Sequence, residues 1–224
     1  MGPGGSGSLL AINWRTKTVT ELSTRPEDLG ATVNDFTHDD LVEPIDIAVD
    51  LNDNVLVADN GLAAVLVFDP TGKHLRSFGS RGNKPGMFKD ISAICVAKTT
   101  GEIVVADTRI QVFSAEGKFL REIKPPGVTL ANVSNNNKAN SAGRGRYGGL
   151  AVDSKGFLLA TRTEKAKSFI QVFDFATGEL YSTIDSHGSR MKRPTGLSVM
   201  GGDEERHLVV VDIGSDCVRK YRYY

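Results

Sequence analysis

Four stretches of this chain use the same words in the same order, and that repetition constrains the fold more than any other feature. They run from Pro44 to Gly82, from Ile91 to Ile123, from Tyr147 to Ile184 and from Pro194 to the C-terminus. Each full unit has a short apolar strand, a polar turn (LNDN, KTTG, DSKG) and a β-branched strand (VLVAD, IVVAD). A third strand (VLVFD, IQVFS, IQVFD), a Gly-containing turn (DPTGK, SAEGK, ATGE) and a fourth strand follow; the last unit stops after its third strand. Gly, Asn and Asp fall where hairpin connections need positive φ, and the runs between them alternate or are apolar throughout. A β-sandwich also supplies many short strands, but it does not require one order repeated four times. Four antiparallel strands recurring about every 40 residues predict an all-β propeller of four-stranded antiparallel blades.

The segments PxxIAVD, VLVAD and IQVF, and the link GSRGNKPGMF between two units, resemble the NHL-repeat family from about Leu41 onward. NHL propellers commonly have six blades. Here four units and an N-terminal hairpin can be counted, so the blade number stands between four and six. The hairpin, Leu9–Leu22 (LLAINWRTKTVTEL), has the shape of a third strand, a turn and a fourth strand. It is expected to complete the blade whose first three strands end the chain, which would hide the sheet edges. Residues 1–8, MGPGGSGS, read as a flexible linker or an expression remnant, leaving 9–224 as the propeller.

With 224 residues and 40% hydrophobic content, the chain is long enough to bury a sizeable core in one domain. No apolar run approaches the roughly 18 residues of a membrane span, and no signal peptide is evident, so a cytoplasmic location is expected. Cys95 and Cys217 lie in strand-like runs without short-range metal-ligand partners, so neither a disulfide nor a zinc site is expected from them.

The formal net charge is zero, so any charge-driven function must come from its distribution. Up-and-down connectivity puts the links between blades and the turns between strands two and three on one face, and the other turns on the opposite face. The first face collects many bases, the second Asp50, Asp53, Asp69, Glu102, Glu116, Asp153, Asp174 and Glu179 among others. Asp59, Asp107 and Asp212, at the repeated end of strand two, are expected to accept hydrogen bonds from the following turn. The third unit has Thr161 there, then Arg162 and the basic insertion TEKAKS.

A basic face suits a phosphate backbone, and single-stranded RNA also needs planar groups for base stacking. Tyr147 stands where the other units have Pro44, Ile91 and Pro194, flanked by Arg144 and Arg146. The RNA-binding candidates are therefore Tyr147, Arg144, Arg146, Arg81, Arg109, Arg162, Lys165, Arg190, Lys192 and Arg193. Two plainer readings stand beside this one: Tyr147 packs against a neighbouring blade, and the bases are an ordinary solvated surface. The loop Gly127–Gly145 is long and polar, which suits a binding loop or a mobile one.

Some NHL-like propellers are metal-dependent lyases or hydrolases, which require several His or carboxylates converging on the channel. His38, His74, His187 and His207 are spread over different segments with no second His expected nearby, and no nucleophile elbow or phosphate-cradling Gly motif is present. The chain is read as a binding platform without cofactor or metal, not an enzyme. The resemblance to the TRIM type of NHL protein implies two functions: binding of single-stranded RNA for post-transcriptional regulation, or protein recognition that recruits substrates to a RING ubiquitin ligase. The Cys and His spacing of a RING is absent from this chain.

Overall fold

In the computed structural model, residues 8–124, 145–165, 167–185, 190–200 and 206–223 are described. They form five antiparallel sheets in chain order. Blade I holds β1 (Ser8–Asn13), β2 (Thr18–Ser23) and β3 (Thr32–Thr37). Blade II holds β4 (Pro44–Val49), β5 (Val55–Asp59), β6 (Ala64–Phe68) and β7 (His74–Phe78). Blade III holds β8 (Ala93–Val96), β9 (Ile103–Ala106), β10 (Ile110–Phe113) and β11 (Phe119–Ile123). Blade IV holds β12 (Arg146–Val152), β13 (Phe157–Glu164), β14 (Lys167–Asp174) and β15 (Leu180–Ile184), and blade V holds β16 (Pro194–Met200), β17 (His207–Asp212) and β18 (Cys217–Arg222). Every sheet is a simple meander, so the protein is an all-β propeller, and five blades fall within the expected four to six.

Turn chemistry explains the strand boundaries. Asp50 Oδ1 accepts the amides of Asn52 and Asn54 at 2.8 and 2.9 Å, Asp153 Oδ1 those of Lys155 and Phe157 at 2.9 and 2.8 Å, and Asp69 Oδ1 those of Thr71 and Lys73. These carboxylates, expected to charge the second face, also close its hairpins by satisfying turn amides. Accepting from the Thr71 hydroxyl holds the Asp69 carboxyl below its usual range, and accepting from Thr177 does the same for Asp174.

Apolar strands from adjoining blades make the core. Leu56, Val65, Val67, Phe88, Ile94, Ile103 and Phe113 fill the space between blades II and III. Tyr147, Leu150, Leu158 and Phe173 join Val104, Ile110 and Ile123 between blades III and IV. The outer strands interlock in a fixed way. Phe36 on β3 lies beneath Gly72 in the β6–β7 turn, Phe78 on β7 beneath Gly117 in the β10–β11 turn, and Ile123 on β11 beneath Gly178 in the β14–β15 turn. Two residues earlier on each strand, a side chain donates to a carbonyl in that same turn: Asn34 to Pro70 at 3.1 Å, Arg76 to Ala115 at 2.6 Å and Arg121 to Phe175 at 2.9 Å.

This equivalence corrects the expected closure of the ring. Since β3 packs as β7 and β11 do, it is a fourth strand, which makes β1 a second strand and β2 a third. Register agrees: β1–β2 pairs without interruption, as β5–β6 and β17–β18 do, while β2–β3 carries the bulge found in β6–β7, β10–β11 and β14–β15. Backbone conformation agrees too. Lys17, Ala63, Lys165 and Asp216 all have φ between 50° and 57°, four residues after Asn13, Asp59, Thr161 and Asp212. The N-terminal hairpin thus does not complete blade V; it belongs to blade I, whose remaining strand is β3.

Candidate nucleic-acid interface

The conserved word order of the repeats places one Asp at the end of strand two in three blades, and its carboxylate organises the basic face. Asp59 accepts the amides of Val42 and Glu43 from the preceding link and of Leu62 from the following turn, at 2.7 to 3.0 Å for its shortest contact with each. Asp107 accepts from Lys89 and Arg109, and Asp212 from Lys192 and Arg193. The expected bonds to the following turn are therefore joined by bonds to the preceding link, which sequence proximity did not reveal. All three carboxylates are fully or almost fully buried, and Asp107 and Asp212 also pair with Arg109 and Arg219. In blade IV, Thr161 takes the place and its Oγ1 lies 3.5 Å from the Pro194 carbonyl.

The ten candidate residues separate into three groups. Arg144, with most of the loop Gly127–Gly145, lies outside the described residues, as do Ala166 of the insertion and His187. Four candidates hold the scaffold. Tyr147 is 1% exposed, in the core between blades III and IV, with its hydroxyl 3.4 Å from Gln171 Oε1. Arg162, equally buried, stacks its guanidinium 4.8 Å from the centre of the Tyr147 ring and donates Nε to Glu164 at 2.6 Å. The expectation that Tyr147 offers a stacking face to a base is corrected by this placement, as is that of Arg162 as a surface contact: both side chains have their partners inside the fold. Burial also pushes the Tyr147 hydroxyl above its usual range.

Arg81 and Arg109 belong to the same structural group. Arg81 donates to the carbonyls of Lys89, Asn60 and Gly61 at 3.0 to 3.1 Å, tying the blade II–III link to the β5–β6 turn. Arg109 pairs with the buried Asp107 at 3.0 Å and donates to the carbonyls of Asn83 and Met87. A cation so engaged contributes a fixed positive end to the face but has fewer donors left for a ligand.

Arg146, Lys165, Arg190, Lys192 and Arg193 form the third group, and each is exposed. Arg146, Lys165 and Arg193 line one cavity, the channel of about 1310 Å³ between the innermost strands. Their elements explain the convergence: Arg146 opens β12, Arg193 ends the link before β16, and Lys165 sits at the positive-φ turn after β13. Arg146 also pairs with Asp90 at 3.0 Å, but both side chains are largely exposed, so the pair is weak and exchangeable. Arg190 and Lys192 lie in the same link as Arg193.

Below this mouth the channel wall is mostly apolar, and among the described residues its one carboxylate is Asp46 on β4. Asp46 Oδ2 accepts the amide of Ile94 on β8 at 2.8 Å, joining two first strands, and burial pushes its carboxyl up to about 6. The corresponding residue of blade IV is Gly149, where an added Cβ would lie 2.7 Å from the Thr195 carbonyl oxygen, so the next strand approaches directly. Burial raises the thiol of Cys95, also in this wall, far above its usual range, and Cys95 and Cys217 are both free thiols. His38 and His74, which were not expected to meet, have ring centroids 5.3 Å apart at the blade I–II boundary. Among the described residues no group of three His, Cys, Asp or Glu could hold a metal ion, and no helix is long and apolar enough to cross a membrane.

Known proteins are similar to this chain in fold more than in sequence. A family described as a 6-bladed β-propeller matches residues 37–141. The protein brain tumor of Drosophila melanogaster is 27% identical over 100 residues, which cover 40% of this chain and 10% of that protein. Among solved structures, a streptogramin B lyase superposes with a TM-score of 0.62 at 14% identity, covering 99% of this chain and 67% of the other. The hydrazine synthase of Kuenenia stuttgartiensis gives 0.58 at 13% identity, covering 99% and 64%, and a protein of unknown function from Bacteroides caccae gives 0.57 at 12%, covering 96% and 72%. The chain thus spans about two thirds of these structures and a tenth of the fly protein. At such identities the structural likeness concerns the fold, and the fold is an all-β propeller.

Proposed function

We propose that this propeller is a binding platform that takes the phosphate backbone of single-stranded RNA at the basic mouth of its channel. The observation that carries the reading is the convergence of Arg146, Lys165 and Arg193 on one cavity while Asp59, Asp107 and Asp212 of the same face are buried in hydrogen bonds. Exposed cations clustered on one mouth favour a polyanion, and phosphate contacts supply most of the sequence-independent affinity for nucleic acid. The resemblance to NHL repeats supports the same class of ligand. With Tyr147 in the core, no stacking platform comes from that residue, so the affinity is electrostatic and strongly salt-dependent.

Binding of the purified protein to a randomised pool of short single-stranded RNAs at about 50 and 200 mM salt tests the reading. Enrichment of bound RNA is expected, with a slope of log affinity against log salt that shallows by roughly one for each of Arg146→Ala, Lys165→Ala and Arg193→Ala. No binding at the lower salt, or a slope unmoved in the triple variant, overturns it. The second reading, a protein-recruiting propeller that serves a RING-type ubiquitin ligase, is favoured by the exposed apolar residues concentrated on the terminal blades: Leu9, Trp14, Leu29 and Val33 on blade I and Met200, Val211, Ile213 and Val218 on blade V.

A further inference from the structure

Arg146, Lys165 and Arg193 border a hole and not a groove. They come from three places in the fold, the start of β12, the turn after β13 and the link before β16, and all three line the one channel. A strand lying across the face would present its phosphates in a row, each diester with a single charge. Cations gathered around one opening suit a single group of higher charge. Asp90 offsets one of the three through its 3.0 Å pair with Arg146. Against the other two, a terminal phosphate monoester, which carries about −1.5 to −2 at neutral pH, is a closer match than a diester.

Below the mouth the wall changes character. Ile45 of β4, Ile94 of β8, Leu150 of β12 and Leu197 of β16 line it from four blades. A phosphodiester led down this wall would shed its water among aliphatic side chains, at a cost that an uncharged base does not meet. The channel volume of about 1310 Å³ is larger than the roughly 300 to 1,000 Å³ of ordinary small-ligand sites, so a single nucleotide has room beneath the cations.

We infer that the mouth takes the phosphorylated end of an RNA strand. The terminal phosphate sits among Arg146, Lys165 and Arg193, the terminal base enters the channel, and the phosphates that follow leave across Lys192 and Arg190, which are exposed in the same link as Arg193. Strand ends suit this mode because their bases are free of a stack on one side and open to recognition. The inference rests on the RNA reading and narrows it: a mouth that only gathered charge would bind ends and middles alike.

The test compares four forms of one short RNA on the 224-residue chain by competition anisotropy: 5′-phosphorylated, 3′-phosphorylated, with hydroxyls at both ends, and circular. A phosphorylated end is expected to bind about tenfold tighter than the hydroxyl and circular forms, and the phosphate preferred identifies which end is held. That preference is expected to be lost in Arg146→Ala, Lys165→Ala and Arg193→Ala, whereas Lys192→Ala weakens every form by the same factor. 2-Aminopurine is expected to change its emission on binding when it is the terminal base and to keep it at an internal position. Salt-dependent binding with equal affinity for circular and phosphorylated RNA overturns capture of an end and leaves the RNA reading standing, as does an equal emission change at the internal position. No binding of any form at low salt overturns both.

Discussion

The guanidinium of Arg162 lies 4.8 Å from the centre of the Tyr147 ring, and each side chain is 1% exposed. A cation held against an aromatic face inside a core is a packing relationship, and the ring adds the larger share through its buried area. Tyr147→Ala is expected to lower stability by about 3 kcal/mol, as other buried aromatic truncations do, and Tyr147→Phe by about 1 kcal/mol or less. Urea unfolding followed by far-UV circular dichroism reads both; equal losses in the two variants would contradict the packing account.

The carboxylate of Asp59 satisfies three backbone amides that no solvent reaches easily. Asp59→Ala leaves those donors without partners and is expected to cost about 3 kcal/mol, with Asp59→Asn recovering part of the loss. Thermal unfolding of the two variants beside the wild type provides the comparison. A melting temperature unchanged in Asp59→Ala would show that the link is held by other contacts.

Asp46 makes stability depend on pH in the direction opposite to that of most paired carboxylates. Burial raises its carboxyl to about 6, so between about pH 4 and 6 the folded protein keeps a proton that the unfolded chain has released. Stability from this group therefore falls as pH rises through that window and is level above it. Since the side chain is partly exposed, the contribution is discounted to about 1 to 2 kcal/mol. The difference in unfolding free energy between wild type and Asp46→Asn, measured at pH 4.5 and at pH 7, is expected to favour the variant more at pH 7.

Gly117 has φ +89°, and a Cβ there would lie 2.5 Å from the Phe78 ring. Gly117→Ala therefore combines backbone strain with a clash against the neighbouring blade, and a loss of about 2 kcal/mol is expected in chemical denaturation. At Gly156, also at positive φ, a Cβ would have nothing within 4 Å, so Gly156→Ala separates the backbone part of the cost, about 1 kcal/mol.

The blades of the three complete units and the last, shorter one were legible because turn chemistry and strand period repeat together. Blade I was not, since LLAIN lacks the Asp that ends strand two in three of the other blades and β3, TVNDFT, carries too few apolar residues to stand out. Its true place follows from Phe36 and Asn34, whose partners lie 36 residues away on the next blade and leave no local pattern. The site divides the same way. Sorting loops by face located Arg146, Lys165 and Arg193 on one side, but whether an Arg points outward or folds back onto carbonyls, as Arg81 and Arg109 do, depends on neighbours remote in the chain. Tyr147 stood out as the odd residue of its column for a real reason, its interior contact with Arg162, and that reason was structural.

The repeated lodging of Phe36 under Gly72, Phe78 under Gly117 and Ile123 under Gly178 also fixes how the molecule should come apart. Each lodging ties one blade to the one that follows it, so cooperativity runs from blade to blade as a chain of neighbour couplings. Loss of one such lodging should therefore loosen the two blades it joins before it reaches the blades beyond them.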